Sequence, residues 1–305
     1  MTLPAVRWRG EDVPVLVLGT AQLGLPGYGV ANRTGGLTPT EADAVVAAAW
    51  AAGGRFFDTA QAYGDSEERL GRALARLSTP GDEPRIITKL AQSAEAAGAV
   101  RVGDMVETSL EKLGRDRLWG LLLHRFSDLS GWESGLGDSL RALRAAGKIQ
   151  YLGVSVYTAD EAQTALAHPD MDVVQVPANA WDDQMIRAGV FEKARRRDKF
   201  LFVRSVFLQG LLLLDPEAAE ARVAGAGGMA AVWRRLCEER GIPPLVLALQ
   251  WAAQWGWPLV VGAETPDQVA AISRALARPH PGKVEGLNCA AGAVCVPGVL
   301  DPRAW

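Results

Sequence analysis

The sequence predicts an α/β protein of the (β/α)8 or TIM-barrel class, a single domain over residues 1–305 with an N-terminal β-hairpin and long loops on the C-terminal face. Three observations predict it. Short β-branched or leucine-rich runs alternate with longer stretches of helical period, the pattern of βα units around a parallel sheet. The short runs number eight, the strand count of a closed barrel. Acidic, basic and imidazole side chains stand at the C-terminal ends of several runs, the edge on which barrel enzymes build their sites. At ~150 residues per domain the length alone would equally suit two domains. No change of composition marks a linker, however, and the Gly/Ala stretch 223–228 is a weak candidate for one.

Residues 5–9 and 13–18 flank the polar turn Gly10-Glu11-Asp12 and read as a hairpin that runs into the first barrel strand, placed to plug one end of the barrel. Barrel strands are predicted at 15–18, 56–58, 86–89, 118–123, 151–155, 173–176, 201–205 and 259–261. Helices are predicted at 39–52, 66–77, 101–113, 136–146, 158–167, 183–197, 229–240 and 266–275, with an additional one at 243–254. Thr38-Pro39-Thr40-Glu41 sets a hydroxyl before a first-turn proline, and Thr265-Pro266-Asp267 repeats that start signal. Non-periodic insertions at 24–36 and 209–228 each follow a predicted strand, which assigns them to the ligand-binding face. The Pro/Gly-rich stretch 278–298 reads as an extended tail. The terminal residues 301–305 either fold over the barrel or pack beneath it.

Composition narrows the function classes. With 49% hydrophobic residues the chain can bury a full core, which excludes disorder and a disulfide-stapled miniprotein. A net charge of -3 lacks the basic surplus that binding to a phosphate backbone uses, so no nucleic-acid partner is expected. The densest basic cluster, Arg195-Arg196-Arg197, ends a predicted helix, where cations suit the macrodipole. Cys237, Cys289 and Cys295 form no C-x-x-C pair and no metal-ligand pattern, so a reducing cytoplasm and no bound metal are expected. Residues 1–13 do not resemble a signal peptide, and the longest alanine-rich run, 44–52, is shorter than the ~20 residues a membrane span needs. The expectation is a soluble protein with no membrane partner. Its oligomeric state is not written in the sequence.

The chemistry-bearing residues cluster. In Phe56-Phe57-Asp58-Thr59-Ala60-Gln61-Ala62-Tyr63-Gly64 an apolar strand ends in an acid, and a tyrosine follows five residues later. Taken alone, Asp58 capping its own loop and Tyr63 packing on the surface is the commoner reading. Ile86-Ile87-Thr88-Lys89 then ends a strand in lysine, and Leu121-Leu122-Leu123-His124 ends one in histidine. A buried lysine calls for a partner, and Asp58 on the neighbouring strand is one. His124 singly is more often a hydrogen-bonded core or rim histidine. Four such groups at three successive strand ends are rarely coincidental.

These residues, in FFDTAQAYGDSEERLG (56–71), IITKL (86–90) and LLLHRF (121–126), together with GKIQYLGVS (147–155), the 175–179 stretch and VVGAETPDQV (260–269), resemble the aldo-keto reductases along nearly the whole chain. The resemblance implies a nicotinamide-dependent oxidoreductase that interconverts an aldehyde, ketone or sugar carbonyl and an alcohol. It implies a catalytic tetrad of Asp58, Tyr63, Lys89 and His124. Reduction by hydride creates an alkoxide and needs a proton donor beside the carbonyl oxygen. Tyr63 is that general acid, or base in reverse. Lys89 is expected to ease its proton loss, Asp58 to hold Lys89, and His124 to bond the substrate oxygen or Tyr63.

Cofactor contacts carried over by resemblance are Gly19 and Thr20 after the first strand, Asp58, and Ser155 and Gln175, which hold the nicotinamide carboxamide. The asparagine usual beside that serine is Val156 here, with Asn179 as a polar substitute. The family's stacking tyrosine falls in the stretch containing Arg204, Ser205, Phe207, Gln209 and Gly210. Arg204 offers a planar guanidinium in its place, or is a salt-bridged strand-end residue. Gly262, Ala263, Glu264, Thr265 and Gln268 open the last helix, where free backbone N–H groups suit a phosphate. With no cation there for a 2′-phosphate, NAD(H) is slightly favoured over NADP(H). Tyr28, Tyr63, His124 and Trp181 are expected to border the substrate pocket. Rival readings are a dinucleotide-binding regulatory or interaction subunit with little turnover, and an isomerase or lyase using Lys89 for Schiff-base chemistry.

Overall fold

A computed structural model describes residues 3–31, 35–91, 94–278, 284 and 296–305. Strands β1 (Ala5–Trp8) and β2 (Glu11–Pro14) pair antiparallel. Eight parallel strands then close a barrel: β3 (Leu16–Gly19), β4 (Phe56–Asp58), β5 (Arg85–Leu90), β6 (Leu118–Leu123), β7 (Ile149–Ser155), β8 (Val173–Pro177), β9 (Phe200–Arg204) and β10 (Leu259–Gly262). β10 pairs with both β9 and β3 to complete the ring. These strands read as continuous apolar runs because both faces are buried, one against the barrel interior and one against the helices.

The hairpin turn differs from the predicted Gly10-Glu11-Asp12. It is the two-residue turn Arg9-Gly10, with φ of 45° and 87°. Two left-handed residues give a turn whose twist matches the flanking strands, and Glu11 and Asp12 are thereby freed to enter β2. The hairpin plugs the N-terminal end of the barrel. Trp8 packs its ring against Tyr151 at 4.7 Å and Phe200 at 4.9 Å, while Trp119 donates its indole N–H to Glu11 at 2.7 Å. Arg9 reaches Asp172 at 2.8 Å and Asp198 at 3.0 Å, at the entrances to β8 and β9.

Most predicted helices are present within a residue or two. The helix expected at 101–113 begins earlier and spans Ala94–Leu113. That expected at 183–197 is split into Gln184–Arg187 and Val190–Arg196, because the backbone breaks helical geometry at Gly189. The insertions are less irregular than the sequence suggests: 24–36 is preceded by a short helix, Ala21–Gly24, and 209–228 contains the helix Pro216–Arg222. Much of the predicted tail 278–298, with Cys289 and Cys295, lies outside the described residues, while Cys237 is a buried free thiol. Both Thr-Pro start signals act as predicted, Thr38 and Thr265 accepting from the backbone N–H of Glu41 and Gln268. Among the described residues no helix is long and apolar enough to cross a membrane.

Candidate active site

Register brings the four predicted catalytic side chains to one end of the barrel. Asp58 ends β4 opposite Gly19 and Ile87, Lys89 lies in β5 opposite Leu122, and His124 follows β6 directly. Lys89 Nζ donates to Asp58 Oδ1 at 2.5 Å and to the Thr59 carbonyl at 3.0 Å, and Gln175 Nε2 donates to Asp58 Oδ2 at 2.8 Å. Both carboxylate oxygens are thus engaged inside a pair that is almost completely buried. Removing one partner of such a pair leaves an uncompensated charge and typically costs about 3–5 kcal/mol.

Tyr63 is held above this pair. Lys89 Nζ lies 5.2 Å from its ring centroid, and His124 meets it edge-on at 5.7 Å. The loop carrying Tyr63 is pinned by Ser66, whose N–H bonds the Tyr63 carbonyl and whose hydroxyl bonds the Thr20 carbonyl, both within 3.0 Å. It also presses on Gly24: a Cβ there would fall 1.9 Å from the Tyr63 carbonyl oxygen and 2.5 Å from the Ser66 nitrogen. Only glycine permits that approach.

Electrostatics divides the labour between Tyr63 and His124. Burial, and then the charge of Asp58, push the Tyr63 phenol well above its ordinary value of 10.0. The Lys89 ammonium, paired with Asp58 at 2.5 Å, does not outweigh the desolvation of the phenol in this arrangement. Burial, followed by the cations Lys89, Arg204 and Arg125, lowers His124 to about 3. Across the neutral range Tyr63 holds a proton and His124 is a neutral imidazole, its buried Nδ1 without a hydrogen-bond partner among the described residues. The arrangement is suited to giving a proton from Tyr63 and orienting an oxygen with His124.

A cavity of about 420 Å³ opens from this quartet across the C-terminal face. Of the predicted cofactor residues, Gly19, Thr20, Asp58, Ser155 and Gln175 line it. So do Arg204, Ser205, Phe207, Gln209 and Gly210 at and after the end of β9, and Gly262 and Gln268 at and after the end of β10. Tyr28 lines it too, 6.4 Å from the Tyr63 ring. Ala263, Glu264 and Thr265 lie beside the cavity without lining it. The amides expected to be free there are in part engaged: Glu264 N–H bonds Gln268 Oε1 at 2.7 Å, and Gln268 N–H bonds the Thr265 hydroxyl at 3.2 Å.

Two predicted positions fall elsewhere. Trp181 is fully buried and does not reach the cavity, since an indole of that size after β8 is taken into the core. Asn179 is also away from it, its Oδ1 accepting from Trp181 N–H at 2.9 Å and Asp182 N–H at 3.1 Å to hold the turn. Conversely, Gln22 and Tyr157 line the cavity and were not predicted. Position alone could have flagged Tyr157, two residues past Ser155 at a strand end. Arg204 and Arg303 both lie over its ring, at 4.2 and 4.1 Å, so the terminal residues sit on the C-terminal face. Among the described residues no group of three or more His, Cys, Asp or Glu is placed to hold a metal ion.

Comparisons with known proteins agree with this fold. A D-threo-aldose 1-dehydrogenase of a Pseudomonas species is 27% identical over 307 residues, covering 88% of this chain and 91% of its own. A crystal structure of an aldo-keto reductase of Pseudomonas aeruginosa, described as putative, superimposes with a TM-score of 0.66 at 24% identity, covering 88% of this chain and 91% of its own. A glycerol dehydrogenase of Gluconobacter oxydans superimposes with a TM-score of 0.68 at 20% identity, over 90% of each chain. At those identities the two structures establish the fold alone. The sequence model of the Aldo/keto reductase family matches residues 15–283. With a closed parallel barrel beneath it and most of its length matched, the chain belongs to the aldo/keto reductase family, whose members interconvert carbonyl compounds and alcohols with NAD(P)(H).

Proposed function

We propose that this chain catalyses reversible hydride transfer between a nicotinamide dinucleotide and a small carbonyl compound, aldehyde, ketone or sugar, with Tyr63 as the general acid or base. The observation that carries the reading is the convergence of Tyr63, His124 and the Lys89–Asp58 pair on one cavity. The curated relative's name, a D-threo-aldose 1-dehydrogenase, favours a sugar or polyol within that class.

The cavity fits the cofactor. It is long enough to run from the quartet to Gly262 and Gln268, and it ends on a helix N-terminus. Ser155 and Gln175 would hold the carboxamide, Gln175 keeping its carbonyl oxygen as an acceptor while its N–H donates to Asp58. From 259 to 273 the chain carries neither lysine nor arginine, and Glu264 stands among these residues, which favours NAD(H) over a dinucleotide with a 2′-phosphate. The cofactor supplies the hydride. His124, neutral, orients the carbonyl oxygen; Tyr63 gives its proton as that oxygen becomes an alkoxide; Lys89 and Asp58 hold the phenol in place. An alkoxide is far more basic than a phenolate, so a raised Tyr63 still donates.

Tyr63→Phe removes the proton and little volume. It should lower turnover at least about a hundredfold, the scale of a general acid's contribution, while dinucleotide affinity stays within a few-fold of the parent. Steady-state kinetics over an aldehyde, ketone and sugar panel, beside fluorescence titration of NADH, reads both quantities. Unchanged turnover would overturn the role of Tyr63. Binding without turnover in the parent protein would favour a regulatory subunit.

A further inference from the structure

We propose that Arg204 makes this site bind the reduced nicotinamide cofactor more tightly than the oxidised one, which shifts the hydride equilibrium on the enzyme toward oxidation of the alcohol. The inference rests on the hydride-transfer reading and adds to it a direction.

Arg204 ends β9 and lines the cavity that holds Tyr63 and His124. Its guanidinium donates to the Val156 carbonyl at 2.8 Å and to the Ser205 hydroxyl at 3.0 Å, and lies over the Tyr157 ring. All these partners are uncharged. Among the described residues no carboxylate lies within ion-pair distance of Arg204. Of the other charges near it, Lys89 is matched by Asp58 at 2.5 Å and Arg303 by Asp301 at 2.6 Å, while the Glu161 carboxylate accepts from the backbone N–H of Tyr157 at 2.6 Å and does not line the cavity. Among the residues lining the cavity Arg204 is thus a cation with no carboxylate of its own, and a guanidinium does not lose its proton in a protein.

The redox ring must come close to that charge. Hydride transfer needs donor and acceptor carbons about 3–3.5 Å apart, and the acceptor carbon is bonded to the oxygen that Tyr63 protonates. The positive charge of Arg204 acts on both Tyr63 and His124, so it also acts on any ring delivering hydride between them. An oxidised nicotinamide ring is cationic and a reduced one is neutral. Like unit charges about 5–10 Å apart at an effective dielectric near 20 repel by an amount equal to roughly tenfold to a hundredfold in binding. Phosphates, ribose and adenine are the same in both forms, so the repulsion appears undiluted in the ratio of their affinities.

The test is the dissociation constants of NADH, NAD+, NADPH and NADP+ for the full chain and two variants, by titration calorimetry. For whichever pair binds more tightly, the parent should hold the reduced form at least about tenfold better. Arg204→Gln should bring that ratio close to one, chiefly by improving affinity for the oxidised form, and a gain in affinity is not a symptom of misfolding. Arg204→Lys loses the planar fork but keeps the charge, and should retain most of the preference. A ratio unchanged in Arg204→Gln, or abolished equally in Arg204→Lys, overturns the inference. The first result would assign the guanidinium to an anionic group on the substrate, the second to stacking geometry. If the parent binds none of the four nucleotides, the hydride-transfer reading itself fails.

Discussion

Tyr63 and His124 are five-odd ångströms apart and are displaced in opposite directions by the same burial, because desolvation always favours the neutral form. The phenol is raised above 10.0, so the proton needed for reduction is present at every pH below that. The imidazole is lowered to about 3, so it becomes cationic only in strong acid. The reduction rate should therefore be flat between about pH 5 and 9 once the cofactor is saturating. Oxidation of the alcohol needs the phenolate, whose fraction grows tenfold per pH unit below its pKa, and should climb across the same range. A step in the reduction rate near pH 6.5, measured under single-turnover conditions, would show that His124 titrates as an ordinary, solvated histidine.

At the scale of elements, the position of Tyr63 is set by the contact of the Ala21–Gly24 helix with the loop after β4. Gly24→Ala puts a methyl group 1.9 Å from the Tyr63 carbonyl, and one of the two segments must move. Because misplacement by about 1 Å can cost a hundredfold in rate, kcat should fall by at least about tenfold, with a smaller change in cofactor affinity. A parent-like kcat would show that the phenol finds its place without this contact. This dependence was invisible in the sequence, where residue 24 only began a loop, whereas the strand ends were legible. Asp58, Lys89 and His124 each close an apolar run, and the run length fixes which edge of the barrel they reach. Trp181 was misplaced because an aromatic after a strand can turn to either the pocket or the core, and the 179–182 turn sends it inward. Tyr157 was missed because its significance comes from Arg204 and Arg303, 47 and more residues away in sequence, closing over its ring.

Across the whole molecule, stability and chemistry occupy opposite ends of the barrel. The hairpin seals the N-terminal end with Trp8, only 7% exposed, while the strand ends that carry the quartet open at the other. A TIM-barrel interior is a packed core and not a channel, so a defect at the plug is separated from the site by filled side chains such as Phe56 and Phe202. Trp8→Ala deletes a large buried ring that touches Tyr151 and Phe200, and it also removes an indole N–H bonded to Asp198 at 3.1 Å. The loss should be about 3–5 kcal/mol of unfolding free energy, the range for a buried aromatic cut to alanine. At a temperature where the variant remains folded, kcat and KM should stay within about twofold of the parent, because no cavity-lining residue contacts Trp8 through these rings. Denaturant unfolding and steady-state kinetics on the same preparation separate the two quantities. A parallel fall in kcat would mean that the plug sets the geometry of the site through the strands, and that the two ends of the barrel are mechanically coupled.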